Sequence, residues 1–483
     1  MDIKAISTNI GKALLINAFF MLISIAISIY YGFDSAFTPL LISFLVTFIT
    51  GTFPFIFVKK NTATTLQSGF LTIVLAWILS FIFGMLPYVL WGGEFTLINA
   101  WFESVSGYTT TGSTILTDIE ALPQSLLFWR SSTHFIGGLG VIVFLLVIIP
   151  DNSPAKLRLT HLELSTLSKE GYRYKTSTIT RVMVSVYAGL TIVETLLLWA
   201  AGMSLFDAVN HAFSTVATGG FSTKNTSIMH FDSVTIDLII TVFMALSAMH
   251  FGIIFAVMAR RSLKPLKHPV TKYYYGVIAI CSVIIAFSLK TQGGYGSWGA
   301  AALDATFQTV SYLSTTGFGQ ADNAHWPLLA NTILLFAAFH CGCSGSTTGG
   351  IKADRMLIAF KAIKKDFLKR LHPSSLFRTK VGSKVINDST VTSVFLYIVL
   401  YLVIIFFSFI IVLICGVEIG DAFSGTISSL GNVGPGIGTI GTMGNYSGLS
   451  SIVKFIFTID MFIGRLEIFP ILIIMSMIFK RQK

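Results

Sequence analysis

The chain has 483 residues, of which 53% are hydrophobic and only 11% are charged. Soluble domains carry about 25% charged residues, so this composition excludes a soluble globular enzyme, a disordered chain and a secreted disulfide scaffold. The composition indicates one polytopic membrane protein instead. In so apolar a chain, the net charge of +11 indicates basic cytoplasmic loops, and we expect no nucleic-acid partner.

Ten segments are apolar enough to cross a membrane, which takes about 20 residues per helix. In chain order they lie at 13–32, 36–58, 67–91, 124–150, 178–202, 234–260, 273–290, 327–360, 391–416 and 451–479. Of the 33 Lys and Arg residues, 28 fall in the termini and loops on one side of these segments. The positive-inside rule therefore predicts that both termini are cytoplasmic.

Four segments between the spans share a pattern at fixed offsets. Each opens on Asn or Asp, at Asn99, Asp207, Asp304 and Asp421. A serine follows seven residues later, at Ser106, Ser214, Ser311 and Ser428. A glycine follows thirteen residues after the opening position, at Gly112, Gly220, Gly317 and Gly434. Because four copies agree at two offsets, we interpret them as an internal repeat of about 100 residues.

Each copy predicts a short helix that re-enters the membrane. The Asn or Asp is expected to cap the helix N-terminus. The next ten or so residues would cover about 15 Å, half of the hydrocarbon core, so this helix cannot span. Its C-terminal end then directs the negative end of the helix dipole toward the membrane centre, where it favours a cation.

A short strand of hydroxyl-bearing and small residues follows each half-helix. The candidate site residues are Thr110, Thr111 and Gly112, then Thr218, Gly219 and Gly220, then Thr315, Thr316 and Gly317, then Asn432, Val433 and Gly434. Four such strands around one axis predict rings of carbonyl oxygens that replace the hydration shell of a monovalent cation. The alternative is that these residues only help helices to pack in lipid. Asn432, Val433 and Pro435 break strict fourfold symmetry.

The eighth apolar segment contains a glycine-rich interruption. Residues 342–350 include Gly342, Gly345, Gly349 and Gly350 together with four Ser or Thr residues. Such a composition will not hold a helix in lipid, so we expect a break near the middle of the membrane. Our hypothesis is a mobile gate beneath the filter. A packed helix break, whose free carbonyls bond to Ser and Thr side chains, stays open as the alternative.

Arg465 and Arg130 are basic residues within apolar segments. Arg465 belongs to the tenth segment, and a charge there normally faces a cavity. We expect it below the filter, where it raises the barrier to cations. A structural ion pair with Asp460, Glu467 or a neighbouring helix is the alternative. Arg130 in the fourth segment fits a packing or snorkelling role at least as well as a functional one.

These motifs resemble the Trk/Ktr/HKT superfamily of potassium transporters. The two additional spans before residue 67 make the chain more similar to the bacterial TrkH branch than to the shorter KtrB branch. The residues that carry the resemblance are Thr110-Thr111-Gly112, Thr218 to Thr223, Thr315 to Phe318, Asn432 to Gly436, the break at 342–350 and Gly464 to Glu467.

The resemblance implies an all-α integral membrane protein with four pseudo-symmetric span–pore-loop–span repeats around one pore, plus two extra N-terminal spans. The expected boundaries are a two-span extension at 1–62 and pore repeats at 63–150, 151–262, 263–384 and 385–483. The third repeat then contains the broken helix and a basic cytoplasmic segment.

The resemblance also implies a function and partners. Potassium would be the transported substrate, held mainly by backbone carbonyls of the four strands, with no cofactor in this chain. The protein would be a multi-pass homodimer among the lipids of the bacterial inner membrane. A TrkA-like cytoplasmic nucleotide-binding ring would regulate it and dock on the basic stretch at 352–384. Simple positive-inside bias explains that stretch equally well.

Two other functional classes remain to be weighed. An ion-coupled secondary transporter for another solute also uses broken helices and repeats, although usually two inverted ones. A membrane enzyme would need an acid/base or nucleophile–histidine constellation, and the sequence has none that recurs on one side. The sequence leaves open whether flux is passive or coupled to H⁺ or Na⁺.

Overall fold

A computed structural model describes residues 3–58, 66–147 and 176–468 of the chain. These ranges are mainly helical, and a short antiparallel ribbon pairs Lys380–Val381 (β1) with Lys384–Val385 (β2). The helices are α1 (Ile3–Tyr30), α2 (Phe37–Phe57), α3 (Leu66–Gly84), α4 (Leu86–Trp91), α5 (Leu97–Tyr108), α6 (Gln124–Val147), α7 (Thr176–Ala200), α8 (Leu205–Ala217), α9 (Val234–Ser247), α10 (Phe251–Arg260), α11 (Pro269–Gln292), α12 (Trp298–Leu313), α13 (Leu328–Phe339), α14 (Ala353–Leu371), α15 (Asp388–Ile414), α16 (Ile419–Gly431) and α17 (Ser451–Leu466).

Most of the predicted spans correspond to long apolar helices. Within the described ranges, six helical segments are long and apolar enough to cross a membrane: α1, α2, α3 with α4, α7, α11 and α15. The fourth and tenth predicted spans are described only as far as Val147 and Ile468, and their remaining residues lie outside the described ranges. The prediction of a multi-pass helical protein is confirmed.

Within the described residues, two predicted spans are interrupted by three or more residues outside any helix. The segment at 234–260 consists of α9 and α10, which meet at an angle of 103°, so the prediction of one continuous helix was wrong there. The segment at 327–360 divides into α13 and α14, with residues 340–352 outside any helix. The second interruption matches the one predicted from its glycines.

The four short helices of the repeat are α5, α8, α12 and α16, with 12, 13, 16 and 13 residues. Their expected N-caps were wrong. Hydroxyls three to seven residues earlier cap three of them, because a Ser or Thr oxygen accepts the free N–H of the third helical residue. These caps are Thr96, Ser204 and Ser297. Asn99 and Asp207 are instead third in their helices, the spacing of a capping box.

The helices close into a ring. In each repeat the helix that follows the short helix packs on the short helix of the next repeat: α6 on α8, α9 on α12, and α13 on α16. The last of these helices, α17, packs on the first short helix, α5. This cyclic order places the C-terminal ends of all four short helices around one centre.

Candidate functional site

Each short helix ends with the same backbone turn. The first candidate residue of every strand is left-handed, with φ of 52° at Thr110, 57° at Thr218, 57° at Thr315 and 55° at Asn432. The next residue donates its N–H to the carbonyl of the repeat serine. These bonds are Thr111 to Ser106 (2.9 Å), Gly219 to Ser214 (2.8 Å), Thr316 to Ser311 (2.9 Å) and Val433 to Ser428 (2.9 Å). The serine of the sequence repeat therefore marks where the helix is closed.

The glycine of each strand lies against the backbone of the next strand. The four glycines have positive φ, at 83°, 80°, 78° and 104° in chain order. A Cβ added to each glycine would lie very close to a carbonyl oxygen of the next strand. The distances are 2.0 Å from Gly112 to the Gly219 oxygen, 2.1 Å from Gly220 to the Thr316 oxygen, 2.0 Å from Gly317 to the Val433 oxygen and 2.5 Å from Gly434 to the Thr111 oxygen. The order returns to its start, so the twelve predicted residues form one closed ring.

Only glycine fits these four positions, for two separate reasons. A side chain would strain a backbone with positive φ, and its Cβ would collide with a neighbouring carbonyl. The middle carbonyls, those of Thr111, Gly219, Thr316 and Val433, are thereby held side by side. A ring of backbone oxygens at the negative ends of four helices is suited to a dehydrated monovalent cation.

A cavity of about 80 Å³ opens above the ring. Its walls are the glycine ends of the four strands, the segment at 440–446, and the side chains of Arg130, Phe221 and Tyr446. Because the ring forms its floor, an ion that enters this cavity meets the candidate filter directly.

The non-helical loop at 340–352 lies directly below the ring. The Gly349 N–H donates to the Thr315 hydroxyl at 3.2 Å, and the Thr347 hydroxyl donates to the Val216 carbonyl at 3.1 Å. A Cβ at Gly349 would lie 2.5 Å from the Gly431 oxygen. The loop thus touches the helix ends or strands of the second, third and fourth repeats.

This loop also fills the break between α9 and α10. The Cys343 N–H donates to the Ala248 carbonyl at 2.8 Å, and the Phe251 N–H donates to the Gly345 carbonyl at 3.1 Å. Irregular backbone at membrane depth needs such partners. The backbone groups of the two breaks therefore form hydrogen bonds with one another. The sequence did not reveal this arrangement.

The remaining glycines predicted for the gate lie in tight backbone positions. A Cβ at Gly342 would lie 2.8 Å from the Ala248 oxygen. Gly345 and Gly350 have φ of 78° and 58°. A Cβ at Gly350 would lie 2.2 Å from the Cys341 sulfur. This stretch packs closely without being helical.

Arg465 reaches this loop from α17. Its guanidinium is buried and donates to the Thr347 carbonyl at 2.6 Å and to the Gly137 carbonyl at 3.1 Å. The carboxylates considered as alternative partners make other contacts. Glu467 pairs with Arg355 and with Lys352, and Asp460 accepts from the Ser408 hydroxyl at 2.7 Å.

A buried ion pair joins the first two strands, and the sequence did not predict it. The Arg130 Nε donates to Glu103 at 2.8 Å, and another guanidinium nitrogen donates to the Ser222 carbonyl at 3.2 Å. The guanidinium lies 3.9 Å above the Phe221 ring. Glu103 also accepts from the Ile115 N–H at 3.1 Å. A carboxylate inside an otherwise apolar half-helix was the signal that could have identified it.

Two acidic residues of the repeat anchor the chain that leaves the ring of strands. Asp207 accepts from the Thr223 hydroxyl at 2.6 Å, and Asp421 accepts from the hydroxyl of Thr439. Farther out, an Asn225 amide donates to Asp118 and lowers the pKa of this exposed carboxyl. The first two contacts tie outer segments to the short helices that precede them, and the third joins two outer loops.

Comparisons with known proteins agree with this architecture. The family model described as "TrkH: Cation transport protein" matches residues 39–483. The Trk system potassium uptake protein TrkH of Salmonella typhimurium is 34% identical over 80% of each chain. That of Halomonas elongata is 32% identical over the full length of both. The crystal structure of the potassium transporter TrkH from Vibrio parahaemolyticus is 30% identical, covers 98% of each chain and superposes with a TM-score of 0.88.

Proposed function

The chain belongs to the TrkH family of cation transport proteins, and from this premise we propose that it takes up K⁺ across the bacterial inner membrane. Membership of this family makes it a transporter and not an enzyme. The observation that carries the proposal is the closed ring, in which each strand's glycine lies against a carbonyl of the next strand. Such a ring supplies the oxygens that a K⁺ ion needs when it loses water.

In this proposal K⁺ passes from the outer cavity into the ring. The ion is the substrate, and the backbone of the twelve strand residues coordinates it in place of water. The C-terminal ends of α5, α8, α12 and α16 add the negative ends of four helix dipoles. Because the strands come from one chain and differ in sequence, coordination is not fourfold in detail.

We further propose that the loop at 340–352 is the gate and that Arg465 holds it closed. The loop lies under three of the four repeats, and the guanidinium bonds to its Thr347 carbonyl. A fixed positive charge below the filter also opposes the arrival of a second cation. Opening requires the loop to exchange these hydrogen bonds, and those at Ala248 and Phe251, for other partners.

The proposed partners are a second copy of the chain and a TrkA-like nucleotide-binding ring. Helix α14 presents Phe360, Ile363 and Phe367 with exposed fractions of 49%, 56% and 62%. Their spacing places them along one side of the helix, whose other residues include Lys361 and Lys364. We assign the apolar side of α14 to the interface of the homodimer and the basic residues of 352–384 to the interface with the nucleotide-binding partner.

Growth of a K⁺-uptake-deficient bacterium in low K⁺ tests the central proposal. The chain is expressed together with a TrkA-like partner, and its membrane level is measured beside growth. Rescue, with Rb⁺ uptake by proteoliposomes of the purified protein, is the expected result. Normal expression without rescue would favour the alternative, an ion-coupled transporter for another solute.

Deletion of residues 344–349 tests the gate. The expected result is Rb⁺ uptake that no longer depends on the partner ring, because the deletion removes Thr347 and Gly349, which contact the second, third and fourth repeats. If flux through the deletion variant equals that of the unaltered protein, the loop is a packed helix break and not a gate.

A further inference from the structure

The fourth strand of the ring ends differently from the other three. Gly434 has φ of 104°, against 83°, 80° and 78° at the equivalent glycines. Its approach to the next strand is looser, since a Cβ there would lie 2.5 Å from the Thr111 oxygen instead of 2.0–2.1 Å. Gly434 is also buried, whereas Gly112, Gly220 and Gly317 are partly exposed.

Two hydroxyl groups account for this difference. The Gly434 carbonyl accepts from the Tyr446 hydroxyl at 2.8 Å and from the Ser113 hydroxyl at 3.0 Å. A carbonyl oxygen has two lone pairs, so both are occupied. Among the described residues, no donor bonds to the carbonyls of the other three glycines. Their oxygens remain available to an ion in the cavity.

The Tyr446 hydroxyl is held in place from several sides. The side chain is 2% exposed, and its ring packs against Phe102 and Phe457 at centroid distances of 5.3 and 5.9 Å. The Tyr446 N–H donates to the Thr114 carbonyl at 2.8 Å, which fixes the backbone to the first repeat. Rotation of the phenol away from Gly434 would therefore require repacking of the core.

We propose that Tyr446 and Ser113 withdraw the Gly434 carbonyl from the filter, so that three carbonyls, not four, face an ion at the level of the glycines. The inference rests on the proposed function and names positioning residues for selectivity. At this level an ion keeps a water on the side of the fourth strand. Discrimination between K⁺ and Na⁺ is then weaker than in a complete ring, because water adapts its distance to either ion.

The test is the paired substitution Tyr446→Phe and Ser113→Ala, with inhibition of Rb⁺ uptake by K⁺ and by Na⁺ measured in proteoliposomes. Removal of both donors frees the carbonyl to face the ion. The preference for K⁺ over Na⁺ is expected to rise about threefold, which corresponds to an energy similar to that of one neutral hydrogen bond. Ser113→Ala alone removes the longer bond and is expected to give a smaller rise, which keeps the test available if the double variant folds poorly.

Tyr312→Phe is the matched control. Tyr312 is also fully buried and donates to a carbonyl of the fourth repeat, that of Gly436 at 3.0 Å, two residues beyond the ring. The Tyr312→Phe variant is expected to keep the K⁺/Na⁺ selectivity of the unaltered protein. An unchanged or lower K⁺ preference in the double variant, or an equal shift in the control, would overturn the inference. Absence of K⁺-inhibited Rb⁺ uptake in the unaltered protein would instead contradict the proposed function.

Discussion

The ring of strands and the loop beneath it are built on opposite principles. The ring repeats one turn four times, with a left-handed residue, a bond to the repeat serine and a glycine against the next strand. The loop at 340–352 belongs to the third repeat, and its backbone bonds to the break between α9 and α10 in the second repeat. A coordinating shell needs equivalent oxygens around an axis, whereas one obstruction is enough to close a pore.

The difference between the repeated ring and the single loop determines which substitutions each region tolerates. In the ring, each strand packs against the next, so a substitution that displaces one strand also displaces its neighbours. In the loop, hydrogen bonds hold one segment in place, so their loss releases that segment without altering the oxygens above. We therefore expect ring variants to lose transport or stability, and loop variants to gain flux.

The largest effect is expected from Glu103→Gln, at the junction of the first two strands. The change leaves the buried Arg130 without its charged partner, and breaking a buried pair costs about 3–5 kcal/mol. Thermal unfolding in detergent should show a clear fall in melting temperature. Asp366→Asn is the control, because its pair with Arg370 is exposed and contributes about 1 kcal/mol or less. Equal melting temperatures for the two variants would contradict the role given to Glu103.

The next effect is expected from Gly317→Ala. The methyl group would lie 2.0 Å from the Val433 oxygen on a backbone with φ of 78°, so the third and fourth strands must separate. A cost of about 3 kcal/mol corresponds to a loss of about a hundredfold in Rb⁺ uptake. Gly276→Ala in α11 is the control, since a Cβ there meets nothing within 4 Å. Normal uptake by the Gly317 variant would show that the ring is not the path of the ion.

A smaller change of opposite sign is expected from Arg465→Gln. Loss of the charge and of the bond to Thr347 should raise Rb⁺ uptake about tenfold in the absence of the partner ring. Lys454→Met serves as control, because Lys454 is a buried cation on the same helix that bonds to Asn99 and Ser447 on the outer side. Unchanged flux in the Arg465 variant would leave the residue a structural role only.

The smallest effect is expected from Ser204→Ala at the N-cap of α8. The hydroxyl accepts from the Asp207 N–H at 3.0 Å, and loss of such a cap costs about 1 kcal/mol. The melting temperature should fall slightly while uptake is retained, because the ring lies at the other end of the helix. A loss of uptake comparable with that of Gly317→Ala would show that the outer end of α8 shapes the ion path.

The repeated features could be predicted from the sequence because they recur. The Ser106 and Gly112 positions reappear at the same offsets in three other segments, and those offsets mark the closing bond and the close approach. The break after α13 was visible because glycines and hydroxyls weaken any helix locally. Both signals lie within a few residues of the structure that they predict.

Features that depend on distant partners could not be predicted in this way. The bend between α9 and α10 is stabilised by bonds to Cys343 and Gly345, about a hundred residues later. The pairing of Glu103 with Arg130 and the bonds to the Gly434 carbonyl likewise join separate segments. The N-caps were missed for a local reason, since Thr96 and Ser204 cap their helices three residues before the repeated Asn99 and Asp207.

The contact that closes the ring between its fourth and first strands has a consequence for biosynthesis. Ser113 and Gly434 are 321 positions apart in the chain. A ribosome releases the first three strands well before the fourth, and chains of this size fold in stages from the N-terminus. A nascent chain therefore enters the bilayer without the complete ring of strands. Completion of the ring is coupled to the insertion of the final repeat, so under the proposed function partly made chains would not conduct K⁺ selectively.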